Sequence, residues 1–196
     1  MKMYVSKRIA APLASMALVV ASFGAASAQA PFEGGWTRNS EMSDLSFQSV
    51  KKQTVVESSG FATFNGSIDE SGMAEVTVLL DSVDTKIDLR NVRMRFLFFE
   101  TFKFPEAKIT AQIAPASIAD LGTIRRKKVP MSYTIDLHGV TQTREAEVTV
   151  TLLTDDMVSV APATPISVPV ADFNLEGGLA KLEEAANVDI IPSATV

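Results

Sequence analysis

The chain has 196 residues, no cysteine, one histidine and a formal net charge of −5. That length is enough for one domain with a sizeable core, and the missing cysteines exclude both disulfide support and a lipid-modified cysteine. The acidic balance argues against a nucleic-acid partner, because binding to a phosphate backbone draws on positive charge.

The first residues read as an address. Lys2, Lys7 and Arg8 form a basic n-region, residues 13–23 are an apolar run, and Ala26-Ser27-Ala28 is a small-residue cleavage site ahead of Gln29. Residues 1–28 are therefore expected to be a signal peptide, leaving 29–196 as one domain released to the periplasm. The apolar run is too short to span a bilayer comfortably, since a transmembrane helix needs about 20 apolar residues. Cleavage removes three basic residues and no acidic one, which makes the remaining chain more acidic, at −8.

From Asp44 the pattern alternates with period two, the signature of half-buried strands. Leu45 and Phe47 alternate with Asp44, Ser46 and Gln48. A second strand is expected over 54–68, with Gly60 and Gly66 placed for the curvature that closing a sheet demands. Asp69-Glu70-Ser71-Gly72 is a turn, and Ala74, Val76, Val78 and Leu80 then face one side.

The stretch 80–105 departs from this rule. Thr85 and Asp88 have the spacing of a capping box, which predicts a short helix. Leu89, Val92, Phe96 and Leu97 recur at helical spacing as one apolar stripe, with Arg90 and Arg93 largely off it. Phe96, Phe98, Phe99, Phe102 and Phe104 then fall within nine positions, and Pro105 ends the helical possibility.

Alternation returns in Ala107, Ile109, Ala111 and Ile113. Arg125-Arg126-Lys127-Lys128 is the most basic run, whose usual meaning is a solvated face or loop, with contact to an anionic membrane as the functional alternative. Val129 to Leu137 and Ala146 to Leu152 flank a His138-Gly139 hairpin turn, and Asp155-Asp156 reads as another turn. Short strands follow near 158–161 and 166–170. A second helix is expected over 174–187, capped by Asn174, with a last strand at 188–191 in which Pro192 fits only near an edge or bulge. Many short strands and one or two short helices predict a mainly β chain, an antiparallel barrel of about eight strands.

Ser82-Val83-Asp84-Thr85, Arg90 to Arg95, Phe98-Phe99-Glu100 and Phe104-Pro105 match, in order, the central pattern of the YceI-like family, which the chain resembles. Trp36 with Phe47, Gly60-Phe61 with Phe64 and Gly66, Leu137-His138-Gly139-Val140-Thr141 and Asp172-Phe173 extend the likeness over nearly all of the mature chain. Met42-Ser43 stands where the family often has His-Ser, so no role of that histidine carries over. The resemblance implies a lipocalin-like barrel enclosing a long apolar lipid, a polyisoprenoid or an isoprenoid quinone, with no other cofactor.

On that reading the pore is lined by Phe47, Phe64, Val76, Val78, Phe96, Phe98, Phe99, Phe102, Ile109, Ile135, Val148 and Val150. The many small residues on the apolar face, such as Ala74, Ala111 and Ala146, leave room inside. From pattern alone a phenylalanine cluster is more often core than ligand site. Arg90, Arg93 and Arg95 could sit at the mouth of the barrel and suit a polar headgroup, Arg90 and Arg93 above all, against the simpler alternative that they pair with Asp81, Asp84 or Glu100. Transient membrane contact and a homodimer stay open. The competing function is an envelope interaction or stress-related structural protein with a self-filled barrel and a protein partner.

Catalysis has little support. A serine triad or histidine-based metal site would have to use His138, which sits in a turn beside no nucleophile motif. Phosphate-binding glycine loops and the HExxH zinc pattern are absent from the sequence.

Overall fold

A computed structural model describes residues 2–7, 31–51, 54–186 and 190–195. Thirteen strands appear in chain order: β1 (Met3–Lys7), β2 (Trp36–Arg38), β3 (Ser46–Lys51), β4 (Val55–Phe61), β5 (Phe64–Ile68), β6 (Met73–Leu79), β7 (Val83–Asp84), β8 (Glu106–Gln112), β9 (Arg126–Leu137), β10 (Val140–Thr154), β11 (Met157–Pro162), β12 (Ser167–Pro169) and β13 (Ile190–Thr195). Eight of them close into an antiparallel barrel in the order β1-β11-β10-β9-β8-β6-β5-β2. The other five form a sheet in the order β12-β13-β3-β4-β7.

The alternation in the sequence becomes the barrel wall. Ala74, Val76 and Val78 of β6, Ala107 and Ala111 of β8, Tyr133 and Ile135 of β9, and Val148 and Val150 of β10 are all buried, while the residues between them are exposed or half-buried. The expected single strand over 54–68 is two strands, β4 and β5, in different sheets. His138 and Gly139 have φ of 54° and 75°, the left-handed geometry of a tight hairpin, and a side chain on Gly139 would press on the Phe104 ring. Pro192 lies within a register irregularity of β13, where the missing N–H costs least.

Three α-helices are present among the described residues: α1 (Asp88–Arg93), α2 (Leu121–Ile124) and α3 (Glu176–Ala186). The short α2 was not legible in the pattern. Asn174 lies outside α3 in a left-handed conformation that ends the preceding 3₁₀ turn, so it does not cap the helix. Leu175, Leu179 and Leu182 are buried as the helical spacing requires.

Part of the expected leader lies within the fold. Met3–Lys7 is hydrogen-bonded between β11 and β2, with Met3 3% and Val5 0% exposed. Tyr4 receives further support from Ser43, whose Oγ accepts the Tyr4 N–H at 2.8 Å and donates to its carbonyl at 3.1 Å.

Candidate ligand-binding site

The interior of the barrel is a row of chambers, because small residues on several strands leave gaps that close packing does not fill. An upper chamber of about 130 Å³ is lined by Phe47, Phe61, Val78, Phe98, Phe99, Ile109, Ile135 and Leu175, among others. A middle chamber of about 100 Å³ shares Ile109, Ile135 and Val168 with it and adds Ala74, Val76, Ala111 and Val148. A third, of about 460 Å³, shares Ile68, Ile113 and Val160 with the middle one and is bounded by Trp36, Phe32, Leu121 and Val150. Met3 lines the middle chamber and Val5 the lower one.

The stretch 80–105 forms the cap over the upper chamber. Ser82 ties its start to the wall: its Oγ accepts the Thr63 N–H at 2.9 Å and donates to the Leu79 carbonyl at 2.7 Å. Thr85 does not cap α1. Its N–H and hydroxyl both donate to Asn91 Oδ1, at 2.7 and 2.6 Å, so Asn91 reaches back and fixes the approach to the helix. No side chain caps α1 directly.

After α1 the helix widens into a π turn over Met94–Phe98, in which the Phe99 N–H bonds the Met94 carbonyl at 2.8 Å. This turn decides which phenylalanines face inward. Met94 and Phe99 are buried, and Phe98 and Phe99 meet edge to face with centroids 4.8 Å apart. Phe99 continues through Phe61 to Phe47, with centroid distances of 5.9 and 5.5 Å, so four rings from three elements roof the chamber.

Not every residue in the expected pore lines it. Phe96 and Phe102 are 56% and 65% exposed and lie on the outer side of the cap, a correction that follows from the π turn and the Pro105 exit. Phe64 is buried but lines none of the three chambers; its ring lies under the Arg38 guanidinium at 4.0 Å. Val150 borders the lower chamber, apart from the phenylalanines. Phe61, Leu80 and Leu175 line the upper chamber without having been singled out as pore residues. Phe61 carried a visible signal, an aromatic beside Gly60 in an alternating strand. Leu175 carried none, since the turn that leads into α3, distant in the chain, brings it there.

The arginines are mostly engaged. Arg90 pairs with Glu57 at 2.5 Å and donates to the Thr85 carbonyl at 2.8 Å, so it anchors the cap to β4 through a different acid from those expected. Arg93, at the end of α1, is half-buried and in no ion pair among the described residues. The basic run lies at the other end of the barrel and opens β9. Lys127 pairs with Asp120 at 2.9 Å, and Arg125 donates to the Leu153 carbonyl at 2.8 Å.

His138 joins two motif segments. Its Nε2 lies 3.3 Å from Glu100 Oε2, its ring sits 4.2 Å from that of Phe104, and its side chain is 10% exposed. The hydrogen bond from Lys103 holds the Glu100 carboxyl below its ordinary range, with the Lys103 charge and His138 adding to the effect against opposing desolvation. Asp172 serves as another joint, paired with Arg144 beside the fully buried Phe173. No group of His, Asp or Glu able to hold a metal occurs among the described residues.

A closed antiparallel barrel of eight strands with an apolar, partly empty interior under an aromatic cap has the architecture of barrels with room for one small ligand. The chain belongs to the YceI-like family, whose domain matches residues 36–193. It is similar to a polyisoprenoid-binding domain from Saccharophagus degradans implicated in plant cell wall breakdown, with 33% identity, a TM-score of 0.74, and coverage of 78% of this chain and 88% of that one. BcnA of Burkholderia cenocepacia shares the fold at 18% identity and a TM-score of 0.56, covering 76% of this chain and 91% of that one. No curated protein matches the chain.

Proposed function

We propose that this protein is an exported, periplasmic carrier of a long-chain amphiphile, a polyisoprenoid or isoprenoid quinone, held without covalent chemistry. The observation that carries the reading is the apolar upper chamber under Phe98 and Phe99, adjoining a second chamber through shared walls at Ile109 and Ile135. Each CH₂ group drawn from water into such a channel contributes about 0.8 kcal/mol, so a chain of several isoprene units needs no polar anchor to bind. The ligand named for the Saccharophagus domain agrees with that chemistry. Export is supported by the basic, apolar and small-residue order of residues 1–28. Binding rather than catalysis is supported by the engaged, structural setting of His138.

Mass spectrometry of an organic extract from the natively purified protein, beside a similarly purified control, tests the reading. A stoichiometric isoprenoid is expected, and Phe98→Ala with Phe99→Ala should lower its retention in a barrel that still folds. An extract that stays empty after incubation with quinones and polyprenyl phosphates would overturn the proposal and favour a protein partner.

A further inference from the structure

Polarity is divided unevenly along the row of chambers. Ser46 is the only polar side chain on the wall of the upper chamber among the described residues, and Tyr133 the only one in the middle chamber. Neither Arg90 nor Arg93 lines the upper chamber, so the cap brings no charge to it. The lower chamber differs. Its walls at Trp36, Ile113 and Leu121 are buried, but its rim is Gly122 and Thr123 of α2 and Asp155 of the β10–β11 turn, all exposed to solvent. Among the described residues, neither the Thr123 hydroxyl nor the Asp155 carboxylate has a hydrogen-bond partner. Val5 is the one described leader residue on this wall, so loss of the leader would widen the chamber and remove no polar side chain from it.

An amphiphile laid along this row has one favourable direction. Its tail fits the two apolar chambers, whereas a polar head buried there would exchange its hydration for a single hydroxyl, that of Ser46 or Tyr133. At the lower rim the head keeps contact with water and meets Thr123. The charge of the head is constrained as well, because Asp155 is the only charged residue bordering the chamber among those described. The cations at this end are turned elsewhere. Arg125 donates to the Leu153 carbonyl, Lys127 pairs with Asp120, and Arg126 and Lys128 lie on the strand face opposite the buried Val129. A phosphate or diphosphate would face a carboxylate with no cation on the wall to offset it. We infer that the lower chamber is the head subsite, that it takes an uncharged, hydrogen-bonding head such as a quinone ring or a free alcohol, and that the tail runs up toward Phe98 and Phe99. The inference rests on the carrier reading and narrows it, since polyprenyl phosphates become the poorer ligands.

Trp36 supplies the test. It is the only tryptophan of the chain and lines this chamber, with its indole N–H donated to the Pro31 carbonyl at 3.1 Å. Titration of the purified protein with a ubiquinone bearing a short isoprenoid tail should quench its fluorescence saturably, because the quinone ring would lie in the chamber that the indole borders. Geranylgeraniol and geranylgeranyl diphosphate, which share one tail, then compete with the quinone, and the alcohol should displace it at about tenfold lower concentration than the diphosphate. Asp155→Lys should shrink that difference to about threefold or less, and Arg93→Ala in the cap should leave it unchanged. Quinone binding in equilibrium dialysis without quenching of Trp36 would place the head at the other end and overturn the inference. A diphosphate that competes as well as the alcohol, or an unchanged difference in Asp155→Lys, does the same while leaving the carrier reading intact. If none of the three ligands binds in dialysis, the carrier reading fails and this inference fails with it.

Discussion

At the level of single residues, the motif positions act mainly as joints. Ser82, Asn91, Glu100 and Asp172 each tie one segment to another, and their bonds hold the cap and the C-terminal helix in place. Gly178 shows how tight this is: a methyl group there would come within 2.7 Å of the Phe98 carbonyl oxygen and 2.9 Å of that of Leu97. Gly178→Ala should therefore push α3 off the π turn and cost about 1–3 kcal/mol, read as a lower urea midpoint. Glu100 gives a pH prediction. Because its folded carboxyl titrates below its unfolded value, the stability it contributes is fully present above the unfolded pKa and disappears as pH falls through the folded one. Stability measured by urea unfolding across the acid range should fall less steeply in Glu100→Gln than in the wild type.

At the level of elements, β1 is the informative case. Its residues carry a leader's composition, yet Met3 and Val5 are buried in the seam between β2 and β11. A chain beginning at Gln29 loses both side chains from the core, each worth about 1.5–3 kcal/mol as an upper estimate, and leaves two strand edges unpaired. Its urea midpoint should lie below that of the chain that keeps residues 1–28. Equal midpoints would mean that another strand fills the seam, or that β2 and β11 close on each other.

At the level of the whole molecule, the carrier reading makes length a selectable property, because a long ligand would have to run through the row of chambers. Ala111 lines the middle chamber and pairs with Ala74 across β6 and β8. Ala111→Phe would fill that space of about 100 Å³ and leave the upper chamber untouched. The variant should still fold, since overpacking costs about 1–3 kcal/mol. Its extract should contain shorter chains than that of the wild type, or none. Undiminished long-chain content would show that the ligand does not thread past Ile109 and Ile135.

By itself the sequence determined the antiparallel barrel, the hairpin turns at His138-Gly139 and Asp155-Asp156, the buried set on β6, β8, β9 and β10, and the family. The strands, turns and buried set depend on period-two alternation and turn chemistry, which are local and so legible residue by residue, while the family rests on the match of short motifs in order. The helical stripe of Leu89, Val92 and Phe96 was legible too, but the side it faces was not. Periodicity records that a face is apolar and carries no information about what lies opposite it. Only the tertiary structure decided that the π turn rotates Phe98 and Phe99 inward and leaves Phe96 and Phe102 outside, that Arg90 meets Glu57, and that Leu175, just before α3, completes the chamber. Those outcomes depend on contacts between residues far apart in the chain, which no local pattern encodes.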